Sequence, residues 1–312
     1  MPPYCYTANE LRTLNCNSGP PTRLVRKAIF SLRLWKSRPR RFHPATSANQ
    51  SRDLGCKHKQ VTAEIVKNSE IIVGLLNAQS VSQKSVAISD TVTARHLDIL
   101  VLTETWHHAS EDLSLRRCAP PGYSIIDAAR QQALAPTDET NERDYGGIAI
   151  IYSNRYTSKR IMLDVKPTTF EVLGCSLRSL TTSVVHIAIY RPGSVSVTEL
   201  FFDELTRLLE IVATFRTQIV ITGDFNIHVN DSKDRHACRL AELLESFDLH
   251  QSVSQPTRRS GYTVDLVITR SDNLPKTCCV DPPDIISDHA LIICNFPSIP
   301  MAVRQVHSTR RR

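Results

Sequence analysis

Residues 70–297 predict an α/β domain: two mixed sheets packed face to face and flanked by helices, a four-layer α/β/β/α sandwich. Two patterns carry that prediction. From residue 70 onward, short apolar runs that each end in a polar residue alternate with stretches of helical periodicity, as expected of sheets covered by helices. Between 123 and 190 several strand-like runs follow one another without an intervening helix, and this order excludes a plain parallel doubly wound sheet.

Taken in order, strands fit 70–76, 98–103, 123–127, 147–152, 159–165, 170–177, 184–190, 217–223, 263–269 and 290–296. Helices fit 84–96, 198–214 and 235–247, and the middle one puts Phe201, Leu205, Leu208 and Val212 on one face, a stripe expected to be core. An apolar fraction of 41% over 312 residues suffices for one sizeable core. The expected organisation is a basic, mostly disordered segment over 1–69, the domain over 70–297, and a basic tail over 298–312. In such a sandwich the polar residues that end successive strands converge on one rim, where chemistry would sit.

The net charge of +7 is unevenly spread: residues 1–60 carry 12 Lys/Arg against 2 Asp/Glu, and residues 301–312 carry 4 Arg and no acid, which leaves −7 for 61–300. The overall basic balance therefore does not mark a DNA-binding surface on the domain. Clustered acids are what a divalent-cation site adds to a domain, although a solvated acidic surface is their commoner cause. In the basic segment, Leu24, Ala28, Leu32 and Trp35 lie at helical spacing beside Arg23, Arg26, Lys27, Arg33 and Lys36, followed by Arg38-Pro39-Arg40-Arg41. Three readings of it stay open: a nuclear-localisation or nucleic-acid arm, an Arg-rich organelle presequence, and a solvated linker. Nine cysteines without a C-x-x-C spacing argue for a reducing compartment and against a disulfide framework or zinc knuckle. No run of 18 apolar residues occurs and the opening lacks a secretory pattern, so an intracellular protein with no membrane partner is expected.

The polar residues at the strand ends are few. Asn77 follows Ile71–Leu76, Glu104 sits in Leu102-Thr103-Glu104-Thr105-Trp106, and Tyr190 in Ile189-Tyr190-Arg191-Pro192-Gly193. Asp224 and Asn226 follow in Gly223-Asp224-Phe225-Asn226, then Asp265 in Thr263-Val264-Asp265-Leu266, and finally Ser287-Asp288-His289. Taken singly, Asn77, Asp224 and Asn226 read as turn formers, Glu104 as a surface acid, Tyr190 as a core aromatic, and Asp265 with His289 as a structural pair. In this order and strand context they resemble the motifs of the endonuclease/exonuclease/phosphatase superfamily, over about residues 70–297.

That resemblance implies hydrolysis of a phosphodiester with Mg²⁺, or Mn²⁺ in its place, held by Glu104 with Asn77 and Asp288. Asp224 resembles the family carboxylate that orients or deprotonates the water, with Asn226 holding it. His289 resembles the histidine that hydrogen-bonds the scissile phosphate, Asp265 its orienter, and Tyr190 a phosphate contact. Arg191, beside Tyr190, is a candidate DNA contact, although a loop arginine is more often simply exposed. Thr263-Val264-Asp265-Leu266 lacks the C-D-R of inositol-polyphosphate phosphatases. Gln79 stands where abasic-site repair endonucleases usually carry an acid, which weakens that alternative and a second metal contact.

Gly146-Gly147-Ile148-Ala149-Ile150, Ile189–Gly193 and Ile286-Ser287-Asp288-His289-Ala290-Leu291 look like the endonuclease domain of LINE-type, jockey-like non-LTR retrotransposons. Those enzymes nick chromosomal double-stranded DNA in the nucleus, and the exposed 3′-hydroxyl primes reverse transcription. A reverse transcriptase domain is expected in the parent element. This chain ends 15 residues after Pro297, which reads as a fragment, a free-standing copy or a lost polymerase. A decayed relic that binds nucleic acid through its basic tails is the alternative of a different class.

Overall fold

The computed structural model describes residues 70–109, 111–130, 146–180 and 182–298. The expected basic segment over 1–69, and the expected tail from residue 299 on, lie outside the described residues. The chain runs β1 (Glu70–Asn77), α1 (Ser85–Ala94), β2 (Ile99–Thr103), α2 (Leu113–Arg117), β3 (Tyr123–Ala128), β4 (Ile148–Ser153), β5 (Thr157–Ile161), β6 (Glu171–Arg178) and β7 (Ser183–Tyr190). It continues with α3 (Glu199–Ala213), β8 (Gln218–Asp224), α4 (Arg235–Ser246), β9 (Leu249–Gln251), β10 (Asp265–Arg270), β11 (Thr277–Val280) and β12 (Ile292–Pro297).

Two six-stranded sheets result, in the orders β11-β12-β1-β2-β4-β3 and β5-β6-β7-β8-β10-β9. Each is antiparallel except for one parallel pair, β1 with β2 and β7 with β8. A parallel pair needs a crossover, and α1 and α3 supply them. Ile71, Val73 and Leu75 from one sheet pack with Val184, Ala188, Val220 and Val267 from the other to form the core between the sheets. The opposite faces are covered by helices, β7, β8 and β10 by α3 and α4, and β1, β2 and β4 by α1 and α2. The four-layer sandwich expected from the sequence is what forms, and Phe201, Leu205, Leu208 and Val212 are buried against their sheet as the stripe predicts. Among the described residues no helix is long and apolar enough to cross a membrane.

The differences from the sequence reading have local causes. The strand expected at 159–165 forms at Thr157–Ile161, because a short turn after β4 fixes the register of Thr157 against Arg178 before the apolar residues begin. The unexpected β9 is only three residues long, and β11 is a half-exposed edge strand. The five-residue α2 is too short for periodicity to reveal; its N-cap Asp112 accepts from the amides of Ser114 and Leu115.

His186, on the inward face of β7, is fully buried, with Nε2 2.8 Å from Thr222 Oγ1. Burial lowers its pKa from 6.5 to about 3. Between those values the unfolded chain holds a proton that the folded chain does not, so stability is lost as pH falls below about 6.5. The group adds a slope of up to about 1.4 kcal/mol per pH unit. Urea unfolding of His186→Leu should therefore show a shallower pH dependence between pH 6 and 4 than wild type, and equal slopes would contradict this account.

Candidate active site

Strand alternation aims the polar residues. Asn77 continues the inward face of Ile71, Val73 and Leu75, Tyr190 that of Val184 and Ala188, Asp224 that of Val220, and Asp265 that of Val267. All four therefore point into the gap between the sheets at its rim, where the carboxyl ends of both parallel pairs lie. The two chains approach closely there: a Cβ on Gly223 would come within 1.8 Å of the Ile189 carbonyl oxygen, so only glycine fits before Asp224. Glu104 lies just past β2 and is turned by a left-handed backbone, φ 50°, and Asn226 has φ 49°. Such backbone is uncommon outside glycine and persists where surrounding bonds hold it.

Hydrogen bonds knit these side chains together. Asn77 Nδ2 donates to Glu104 Oε1 at 2.8 Å and to Asp224 Oδ2 at 2.9 Å. Asn226 donates its backbone N–H to Asp224 Oδ1 at 2.9 Å and its Nδ2 to Oδ2 at 3.0 Å. His289 Nδ1 lies 2.7 Å from Asp265 Oδ2, and ligand atoms of Asp224, Asp265 and His289 fall within 4.8 Å of one another. Tyr190 lies near enough to Glu104 and Asp224 for their carboxylates to act on its hydroxyl. Ser287 Oγ donates to the Asn77 carbonyl at 2.5 Å and accepts from the His289 amide at 3.2 Å, tying the end of β1 to the histidine.

Burial first, then Asp265 and more weakly Glu104, pushes Asp224 up to about 7, against the opposing pull of His289 and the Asn77 hydrogen bond. For His289 burial acts downward, but Asp265, with help from Asp224 and Asp288, outweighs it and raises the imidazole to about 9. The ring is thus a cation at neutral pH, with Nδ1 given to Asp265 and Nε2 turned to the site. Burial, reinforced by Glu104 and Asp224, raises Tyr190 and keeps its hydroxyl a neutral donor.

The donor set fits a hard divalent cation. Asp288 Oδ1 and Asp265 Oδ1 are buried and accept no hydrogen bond among the described residues, and such oxygens are costly unless a cation or donor meets them. Asp288 Oδ1 is 3.9 Å from His289 Nε2, and its Oδ2 is 3.5 Å from Arg258 Nε. Asp265 Oδ2 and His289 Nδ1 are committed to each other and both Asp224 oxygens accept hydrogen bonds, so among the described residues Asp265 Oδ1 and Asp288 Oδ1 are left to meet an ion, beside Glu104, whose Oε1 accepts from Asn77. Lys84 was not singled out from sequence. It donates to the carbonyls of Ala78 and Gln79 at 2.7 and 3.0 Å, and burial lowers its pKa while nearby Asp288 and Glu104 oppose that.

Arg191 does not face a DNA surface. It is 3% exposed, and its guanidinium donates to the carbonyls of Phe225, Pro192, Val195 and Asn226 at 2.6–3.1 Å. A buried guanidinium needs its donors satisfied, and these carbonyls do so. Its place is under the turn that carries Asp224 and Asn226.

The sequence model of the Endonuclease/Exonuclease/phosphatase family matches residues 13–289. No curated protein matches the chain. Among solved structures, the endonuclease domain of TRAS1, a telomere-specific non-LTR retrotransposon, is similar at TM-score 0.56 and 14% identity, covering 73% of this chain and 98% of that one. An AP endonuclease from Archaeoglobus fulgidus aligns at TM-score 0.57 and 15% identity over 72% and 99%. The AP endonuclease LMAP from Leishmania major aligns at 0.55 and 13% over 94% and 99%.

Proposed function

The chain belongs to the endonuclease/exonuclease/phosphatase family, and we propose that within it this protein is a metal-dependent phosphodiesterase that nicks double-stranded DNA by hydrolysis and leaves a 3′-hydroxyl. The observation that carries the reading is Asn77 Nδ2 bridging Glu104 and Asp224, with the Asp265–His289 pair within 4.8 Å of Asp224. Three roles that hydrolysis requires thus meet at one rim.

Asp224, poised near neutrality, takes the proton of the attacking water, and the two hydrogen bonds from Asn226 hold its carboxylate in place. His289 presents Nε2–H to a non-bridging phosphate oxygen while Asp265 fixes the ring, and Tyr190 donates a second hydrogen bond as charge develops. Glu104, Asn77 and Asp288 would hold Mg²⁺, with Mn²⁺ as substitute. When bound, the ion neutralises charge on the phosphate and leaving oxygen.

The fold likeness to the TRAS1 endonuclease domain, together with the Gly146–Ile150 and Ile189–Gly193 stretches, supports target-primed retrotransposition as the setting. That setting puts the reaction on chromosomal DNA in the nucleus, beside a reverse transcriptase. Nicked plasmid should be extended directly by a DNA polymerase, as a 3′-hydroxyl requires, and an intact duplex should be cut as readily as one bearing an abasic site. Nicks that need phosphatase treatment would exclude the 3′-hydroxyl product, and cutting confined to abasic sites would move the protein to repair. Salt-sensitive binding without any Mg²⁺-dependent nick, abolished by removal of residues 1–60, would mark a decayed relic.

A further inference from the structure

We propose that Glu171 is a positioning residue for Glu104, acting through the Gly146–Gly147 backbone; the inference rests on the metal-dependent reading above. Glu171 opens β6, stands in register with Tyr190, and is only 4% exposed. Its Oε2 accepts the Gly147 N–H at 2.7 Å. The two glycine carbonyls then accept the amides that follow Glu104: Thr105 N–H donates to Gly147 at 3.2 Å and Trp106 N–H to Gly146 at 2.8 Å.

Those two bonds hold a costly stretch of chain. Glu104 and Trp106 both have left-handed backbone, φ 50° and 51°, which residues other than glycine adopt only at a cost that surrounding bonds must offset. The glycines leave little slack. A Cβ on Gly146 would come within 2.3 Å of Glu171 Oε1, and one on Gly147 within 2.6 Å of Thr105 Oγ1 and 3.0 Å of His107 Nδ1. From the other side, Thr105 Oγ1 meets His107 Nδ1 at 2.7 Å, and His107 Nε2 meets Asp127 Oδ2 at 3.1 Å, so the turn after Glu104 is clamped between two buried networks. A continuous chain of bonds thus runs from Glu171 to Gly147, to Thr105 and Trp106, and so to the backbone that aims the Glu104 carboxylate. A residue that merely satisfied a buried amide would affect stability alone. A positioning residue also sets the affinity of the cation site.

Mn²⁺ titration of the full-length protein without DNA, read by the electron paramagnetic resonance of free Mn²⁺, separates the two. Glu171→Ala should weaken Mn²⁺ binding by about 10–100-fold, the scale of lost outer support at metal sites, while Glu171→Gln, which still accepts the Gly147 N–H, should stay within about threefold of wild type. Should Glu171→Ala fail to fold, Glu171→Asp takes its place: the shorter side chain loses the Gly147 bond and weakens binding, again rescued by Gln. Alanine or aspartate variants that fold and bind Mn²⁺ as wild type does would overturn the role of Glu171 and leave the proposed function standing. Binding unchanged in Glu104→Ala would remove Glu104 as a ligand, and both readings with it.

Discussion

Replacing Asp224 with asparagine should lower the Mg²⁺-dependent nicking rate by about 10³-fold, within the range that one positioned acid–base group contributes. The substitution keeps size and shape, so duplex binding should change little. What it removes is the proton acceptor. Asp224 is fully buried at the end of β8, and burial with the negative charge of Asp265 holds it near 7, so its carboxylate readily takes up a proton from water. An asparagine there has one acceptor oxygen where Asp224 has two: with that oxygen kept on Asn77 Nδ2 and Asn226 Nδ2, its amide nitrogen would face the Asn226 backbone N–H, donor against donor. Single-turnover cleavage of a labelled duplex, with thermal melting to verify the fold, reads the effect. A loss smaller than tenfold would mean that Asp224 is not the base.

His289→Ala should cost at least 10²-fold in the same assay, the scale of losing a hydrogen-bond donor to transition-state charge, and more than Asp265→Asn does. The alanine variant deletes the Nε2–H meant for phosphate and leaves Asp224 and Asp265, register partners on β8 and β10, as two buried carboxylates without their cation. Mutual repulsion would then raise Asp224 further and spoil its readiness at neutral pH. In Asp265→Asn the imidazole remains, but loses the partner that holds Nδ1 and keeps the ring charged. If the Asp265 variant were the more damaged of the two, the histidine would not be the group that meets phosphate.

Most of the architecture was legible because it follows from alternation and from where apolar runs stop. The same period-two pattern that buries Val220 brings Asp224 to the rim, so one feature of the sequence announces both strand and site. Contacts fixed by the path of the backbone were not legible. Nothing in Tyr190-Arg191-Pro192 tells whether the guanidinium reaches outward to DNA or folds back over four carbonyls of neighbouring turns, and it folds back. Glu171 carried no signal, being a lone acid at the start of a strand; its meaning comes from pairing beside Tyr190 and from Gly147, 24 residues away in sequence. Lys84 looked like an ordinary helix-start residue until the carbonyls of Ala78 and Gln79 placed it near Glu104 and Asp288.

Relaxation of supercoiled plasmid by the full-length protein, followed while Mg²⁺ is titrated, tests most directly whether these side chains work on one phosphodiester. The wild type should convert supercoiled to open-circular DNA in Mg²⁺ and stop in chelator, and an Asp224→Ala/His289→Ala double variant should be inert at every Mg²⁺ concentration. Equal relaxation by the two proteins, or relaxation by the wild type that persists in chelator, would contradict the account.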